Sequence, residues 1–444
     1  MLASCAMVLK REDILAYHLG GKVGLRLARQ LADRDALCMA YTPGVAVPVK
    51  EIHRDREALY RYTAKSNLVA VVTDGTAILG LGDLGAEASI PVMEGKAVLF
   101  KAFGDVDGWP VPLNNCRRGG GNRGPSDPNR VVDLVCALAP MYGGINLEDI
   151  AAPACFEIED RLEELLDIPV FHDDQWGTAV ITLAGVMNYC LLSGKRLQAQ
   201  KIVINGAGAA GIRITEMIKA AGATDVVLCD SKGVITASRE GLTPKKREHA
   251  VAEGPPTVGE ALRGADIFIG VSVAGCIKPE DVVNMAPYPA IFAMANPDPE
   301  ILPEVVAQAM GGKPYVMATG RSDYPNQVNN VLGFPFLFRG ALDVRARSID
   351  MPMKVAAAEA LARVAREPVT DEVQSIYPGE PLEFGNAYVI PKPFDSRLFV
   401  EVSWAVGAAA VQSGVAEAID LSVYRELLES RNRDRLSARR NSRS

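Results

Sequence analysis

The stretch KIVINGAGAAGIRITEMIKAAGATDVVLCD, residues 201–230, constrains the fold of this chain more than any other. An apolar run of strand length, Ile202–Asn205, ends at a glycine. Gly206, Ala207, Gly208, Ala209, Ala210 and Gly211 then form a GxGxxG loop, and a helix pattern and a second strand, Val226–Leu228, lead on to Asp230. The first glycine makes a tight turn, the second lets backbone approach a pyrophosphate, and the third lets helix and strand pack closely. The helix N-terminus adds unpaired N–H groups and the positive end of its dipole. An acid 24 residues after Gly206 suits the hydroxyls of a ribose. The unit reads as a dinucleotide site. Asp230 by itself favours NAD, whereas Lys232 could meet the 2′-phosphate of NADP, and the sequence leaves both open.

Around this unit the pattern repeats. Runs at 202–205, 226–228, 267–271, 291–295 and 315–318 alternate with helical or turn-rich segments, which is the signature of a doubly wound parallel α/β sheet. Ahead of it, residues 1 to about 65 read as polar-rich helix, broken at Tyr41-Thr42-Pro43-Gly44. NLVAVVT (67–73) reads as a buried strand, followed by short apolar runs at 77–81 and 96–100, the latter placing Lys96 at a strand start. Helices are expected at 131–139, 155–166, 177–192, 351–365 and 399–413, with a strand at 168–171. The expected division is an N-terminal α/β domain (1–163), a Rossmann-like domain (164–395), C-terminal helices (396–428) and a disordered tail (429–444). That tail, ESRNRDRLSARRNSRS, holds six arginines and little that could enter a core. The segment NNCRRGGGNRGPSDPN (114–129) is glycine-rich and basic but lacks the GK[ST] of a phosphate loop, and reads as a surface loop.

Two acidic pairs stand in apolar settings, Glu148-Asp149 and Asp173-Asp174. Adjacent buried carboxylates need a compensating positive charge. The eight cysteines show no CxxC spacing and no histidine clustering, so neither zinc nor a disulfide framework is expected. An oxygen-ligand set suits Mg²⁺ or Mn²⁺ instead. His172 is a further candidate ligand, though a lone histidine is more often a packing residue. A net charge of −7 argues against nucleic-acid binding. The absence of a long uncharged apolar window argues against a membrane span, and scattered thiols suit a reducing, cytoplasmic setting.

Several segments together resemble the malic enzymes. They are YTPGVA (41–46), TDGTAILGLGDLG (73–85), PVMEGKAVLFK (91–101), GGINLEDI (143–150), HDDQWGTA (172–179), GAGAAG (206–211), FAMANPDPE (292–300) and TGRSDYPNQVNNVLGFPFLFRGALDV (319–344). CDSKGVI (229–235) and YVIPKPFDSRLFV (388–400) look most like the malic half of the long bacterial members. The resemblance implies a malic-type substrate domain followed by the Rossmann domain. It implies oxidative decarboxylation of (S)-malate to pyruvate and CO₂ with NAD or NADP and Mg²⁺ or Mn²⁺. It further implies Glu148, Asp149 and Asp174 as metal ligands, Lys96 as general base with a lowered pKa, Asp173 beside it, and Tyr41 as general acid. Asn296 and Asn330 match substrate positions, with Asn296 also near the cofactor, and a homodimer or higher homo-oligomer is implied with the Tyr41 region near the subunit contact. The alternatives are a malolactic-type enzyme and a non-catalytic dinucleotide-binding relative. Two departures stand out. Trp176 occupies a position that is usually histidine and reads as packing, and 114–129 replaces what is usually a short turn.

Overall fold

The computed structural model describes residues 10–78, 81–121 and 123–441. A first sheet is built from β1 (Leu68–Thr73), β2 (Asp107–Pro112), β3 (Gly144–Leu147) and β4 (Val170–His172). Its order is β2-β1-β3-β4 and every pairing is parallel. Because Ile145 pairs with Val170, the first sheet runs past the expected boundary at residue 163 and ends at His172.

The run Lys96–Phe100 is not a strand. It lies inside the helix Ala86–Gly104, whose buried residues include Ser89, Met93, Ala97 and Phe100, spaced by three and four. A short apolar run carries no period of its own, so only the flanking residues settle its type. The strand that pairs with β1 is instead β2, DGWPVP, an edge strand where Pro110 and Pro112 cost no inner ladder bond. Among the described residues of the run 77–81 no strand forms, and Leu81 N–H bonds Ile78 O at 2.6 Å; residues 79 and 80 lie outside the described ones.

The second sheet comprises β5 (Lys201–Asn205), β6 (Asp225–Asp230), β7 (Gly233–Val234), β8 (Ile267–Gly270), β9 (Ala290–Ala293) and β10 (Val316–Thr319). The order β10-β9-β8-β5-β6-β7 puts β5 between β6 and β8, and only the short β7 runs antiparallel. The chain winds outward in both directions from β5, so a crevice opens beyond the C-terminal ends of β5 and β8.

Buried helices tie the two sheets together. Phe100 meets Phe334 and Phe338 edge-on at 4.7 and 5.2 Å, which packs Ala86–Gly104 against the helix Phe334–Asp343. The stretch Asp173–Ser193 is long and apolar enough to cross a membrane by length and composition, yet 67% of its most apolar window is buried inside the protein. That is the pattern of a core helix.

Residues 429–441 of the tail expected to be disordered are instead the end of a helix, Leu421–Asn441; residues 442–444 lie outside the described ones. Arg431 Nε lies 2.8 Å from Asp105 Oδ2, Arg435 Nη1 donates to Ala102 O at 3.0 Å, and Arg439 donates to the same carbonyl. These cations sit at the C-terminal end of Ala86–Gly104, where carbonyls lack partners and the helix dipole is negative. The arginines that read as a solvated run have their partners more than 300 positions away.

Candidate active site

The acidic pairs sit at the C-terminal ends of neighbouring strands. β3 runs into Glu148 and Asp149, and β4 runs into a single π-helical turn, Asp173–Gly177. Asp149 adopts φ +53°, a left-handed conformation uncommon for a residue with a side chain. Its N–H donates to Asp174 Oδ2 at 2.7 Å, and its carbonyl accepts from Ala77 N–H at 3.0 Å. One oxygen each from Glu148, Asp149 and Asp174 lie within 4.8 Å of one another.

The turn separates its two aspartates. Asp173 is fully buried, with Oδ2 at 2.5 Å from Lys96 Nζ, while Asp174 is 37% exposed and faces the cluster. Lys96, held on the helix Ala86–Gly104, also meets Glu148 Oε1 at 2.8 Å and lies 4.5 Å from the Phe334 ring. Burial raises the pKa of Glu148, Asp173 and Asp174, and Lys96 works against that shift. Burial alone would lower the pKa of Lys96, but Asp173, Glu148 and Asp174 overcome it and the net shift is upward. The lowering expected from the sequence depends on partial burial together with a nearby metal, and the protein's own groups by themselves act in the opposite direction. Three carboxylates around one ammonium outweigh its desolvation. Burial pushes the His172 imidazole down to about 4, which keeps it neutral beneath the site.

Asn330 joins the cluster from a distant segment, donating to Asp173 O at 3.2 Å and accepting from Thr178 Oγ1 at 3.0 Å. Trp176 is buried, its ring flanked by Lys354 Nζ at 3.8 Å and the Arg213 guanidinium at 4.6 Å.

The glycine loop fits a dinucleotide. A Cβ on Gly211 would stand 1.7 Å from Gly206 O, and one on Gly206 would stand 2.4 Å from Val271 O. A Cβ on Gly208 would meet nothing within 4 Å, so open space lies where a pyrophosphate would approach the helix Ala209–Ala220. A cleft of about 610 Å³ continues past Gly208, Asp230, Lys232, Lys246, Ser272 and Cys276. Both Asp230 oxygens accept from Arg239 at 3.0 Å, Oδ2 also from Lys246 at 3.0 Å, and Oδ1 from the Lys232 N–H at 3.0 Å.

Both halves of the chain match known proteins. Residues 21–163 match the family model described as malic enzyme, N-terminal domain, and residues 176–381 match that of the malic enzyme NAD binding domain. The chain belongs to the malic enzymes. It is 50% identical over 428 residues to a Rhizobium meliloti protein named NADP-dependent malic enzyme, an alignment covering 95% of this chain and 55% of that one. It thus spans about half the length of that relative. It is 49% identical to the Bacillus subtilis bifunctional malic/malolactic enzyme, covering 91% of this chain and 94% of that one. The crystal structure of the malic enzyme from Pyrococcus horikoshii superposes with a TM-score of 0.86 at 40% identity, covering 97% of this chain and 96% of that one.

Within this malic enzyme fold, Lys96, Glu148, Asp149, Asp173, Asp174 and Asn330 form one cluster. Asn296 lies exposed in the loop after β9. Tyr41 stands apart: it is 70% exposed at the end of the helix Arg34–Ala40, and among the described residues its phenol makes no hydrogen bond. Sequence reading missed the residues that hold the loops in place. Fully buried Glu300 accepts from Ser272 N–H at 2.7 Å and Ala295 N–H at 3.0 Å, tying the loops after β8 and β9 together. Fully buried Glu159 accepts from His172 N–H at 2.9 Å and from Arg213 at 2.8 Å, fixing the approach to the Asp173 turn. Glu300 closes the quoted FAMANPDPE motif, but nothing local marked either acid as buried.

Proposed function

We propose that this chain catalyses metal-dependent oxidative decarboxylation of (S)-malate to pyruvate and CO₂, reducing NADP. The observation that carries this reading is the Lys96 ammonium held between Asp173 and Glu148 at the edge of a three-carboxylate cluster. Four carboxylates against one lysine leave an excess of negative charge, and all donors are oxygens, which fits Mg²⁺ or Mn²⁺ on Glu148, Asp149 and Asp174. When bound, that ion supplies positive charge to the oxygens of malate and offsets the carboxylate field around Lys96.

With its own proton lost once that field is offset, the neutral Lys96 amine would take the proton of the C2 hydroxyl as hydride is given up from C2 to a nicotinamide. Asp173 holds the lysine in place and Asn330 holds Asp173. Loss of the C4 carboxylate as CO₂ leaves an enolate, and Tyr41 returns a proton to C3. Since Tyr41 is exposed in this chain, we place it at the site through a second copy. The exposed Leu25, Leu27, Met39, Val47 and Val49 on the same N-terminal segment give that copy an apolar face to cover.

The preference for NADP over NAD rests on Asp230. Its oxygens are filled by Arg239, Lys246 and the Lys232 N–H, so it has little left for a ribose hydroxyl. Two cations on that acid, Arg239 and Lys246, with Lys232 lining the same cleft, suit a 2′-phosphate. A malolactic reading draws support from the name of the Bacillus subtilis relative. The cytoplasm suits the described cysteines, all of which are free thiols.

The test is absorbance at the reduced-nicotinamide band with purified protein, malate and Mn²⁺, run with NAD and NADP in parallel and repeated with chelator. Chelator-sensitive reduction, faster with NADP, is the expected result. Lactate formed without released reduced cofactor would favour the malolactic reading. No turnover in protein that still binds dinucleotide would leave a non-catalytic relative.

A further inference from the structure

The segment 114–129 reads from sequence as a surface loop, but Cys116, Arg117 and Ser126 within it are buried. Arg117 is 2% exposed and pairs across an antiparallel bridge with Ser126, which is also buried. Arg117 Nη1 lies 2.9 Å from Asp74 Oδ2, and Nη2 donates to Asp74 O at 2.7 Å and to Asp83 Oδ1 at 2.9 Å. Ser126 donates to the same Asp74 Oδ2. Asp74 is itself fully buried, so it requires this compensation.

We propose that Arg117 is a positioning residue for metal binding, acting through Asp74 and Thr76 on the loop that carries Asp149. The other oxygen of Asp74 accepts from Thr76 twice, from N–H at 3.1 Å and from the hydroxyl at 2.6 Å. The Thr76 oxygen in turn accepts from Ala151 N–H at 2.9 Å, and Ala77 N–H donates to Asp149 O at 3.0 Å. Residues 76 and 77 therefore grip the chain on both sides of Ile150. Asp149 needs that grip, because its left-handed φ of +53° persists only if its surroundings enforce it. From there its N–H reaches Asp174 at 2.7 Å, so the string ends at two of the three clustered carboxylates. The tip of the hairpin joins this network through the bond from Gly124 N–H to Asp83 Oδ2 at 3.0 Å. Gly119, Gly120, Gly121 and Gly124 face open space, and Arg118 is exposed.

This inference rests on Glu148, Asp149 and Asp174 as the metal ligands. The experiment is calorimetric titration of the full chain with Mn²⁺, and separately with NADP, alongside thermal melts. Arg117→Met would leave Asp74 buried and uncompensated, so it is combined with Asp74→Asn. The pair R117M/D74N and the single change Thr76→Val should each weaken Mn²⁺ binding by about tenfold or more, the range found when outer partners of metal ligands are removed. NADP affinity should not change. Arg117→Lys, which keeps charge but not the fork, should fall between, and Arg118→Ala should match wild type. With Thr76→Val already present, R117M/D74N should cost little more, because the string is already cut. Wild-type Mn²⁺ affinity in folded R117M/D74N would overturn the proposal, as would fully additive losses. A wild-type chain that binds no Mn²⁺ would sink the metal reading and this inference with it, whereas binding unaffected by the variants would sink the inference alone.

Discussion

Lys96 and Asp173 meet at 2.5 Å across 77 positions of chain, the lysine side chain 11% exposed and the aspartate fully buried. One comes from the middle of a helix and the other from the turn after β4. Each makes the other tolerable in the interior, because a buried charge without a partner is far costlier than a paired one.

Lys96→Ala should abolish malate oxidation and leave NADP titration intact. It should also destabilise the chain by roughly 3–5 kcal/mol, since Asp173 is left buried and unpaired. Adding Asp173→Asn should restore much of the melting temperature but none of the turnover. Turnover in either variant would remove Lys96 from the role of base.

Trp176 packs between two cations, Lys354 and Arg213. Trp176→Ala should cost about 3–5 kcal/mol, the usual range for emptying a buried aromatic site. Trp176→Phe keeps a π face and should cost less. Urea midpoints of the two variants decide the matter, and equal losses would mean that ring electrons contribute nothing beyond volume.

Glu216 gives a pH-dependent handle. Burial would raise its pKa, but His249, Arg213 and Lys245 overcome this and hold it down at about 2. The folded pKa lies below the unfolded value of 4.5, so the contribution is full above pH 4.5 and is lost as pH falls towards 2. The shift corresponds to about 3 kcal/mol at neutral pH. Glu216→Gln should therefore lower stability at pH 7 and flatten the decline between pH 4.5 and 2, as read from urea midpoints at several pH values. An unchanged acid limb would contradict the assignment.

Arg435 should matter although it lies in an arginine-rich tail. Its guanidinium donates to Ala102 O at 3.0 Å and stacks on Phe399 at 4.8 Å. Arg435→Ala should cost about 1.5–3 kcal/mol, the range for a charge-assisted hydrogen bond. A melting temperature equal to wild type would show that the docked helix end adds nothing to stability.

Much of the chemistry was legible because its signals are local. GxGxxG between two strands is a backbone requirement, and the structure shows Gly206 and Gly211 packed where a Cβ would not fit and Gly208 facing open space. The acids at 148–149 and 173–174 stood out as adjacent carboxylates in apolar runs. Even so, the adjacency of Asp173 and Asp174 did not reveal that one would be sealed inside against Lys96 and the other left facing outward.

The sequence by itself determined the family, the parallel sheet around residues 201–230 and the acidic pairs that come together, since each depends on residue type and spacing within short segments. Only the tertiary structure decided that KAVLF is helix, that the arginine-rich end docks on Ala102 and Asp105, that Arg117 is buried against Asp74, and that Lys96 meets Glu148 as well as Asp173. The reason is shared by all four. Burial and the partner of a charge are set by groups that lie far away in sequence, and a side chain carries no local mark of what will pack against it.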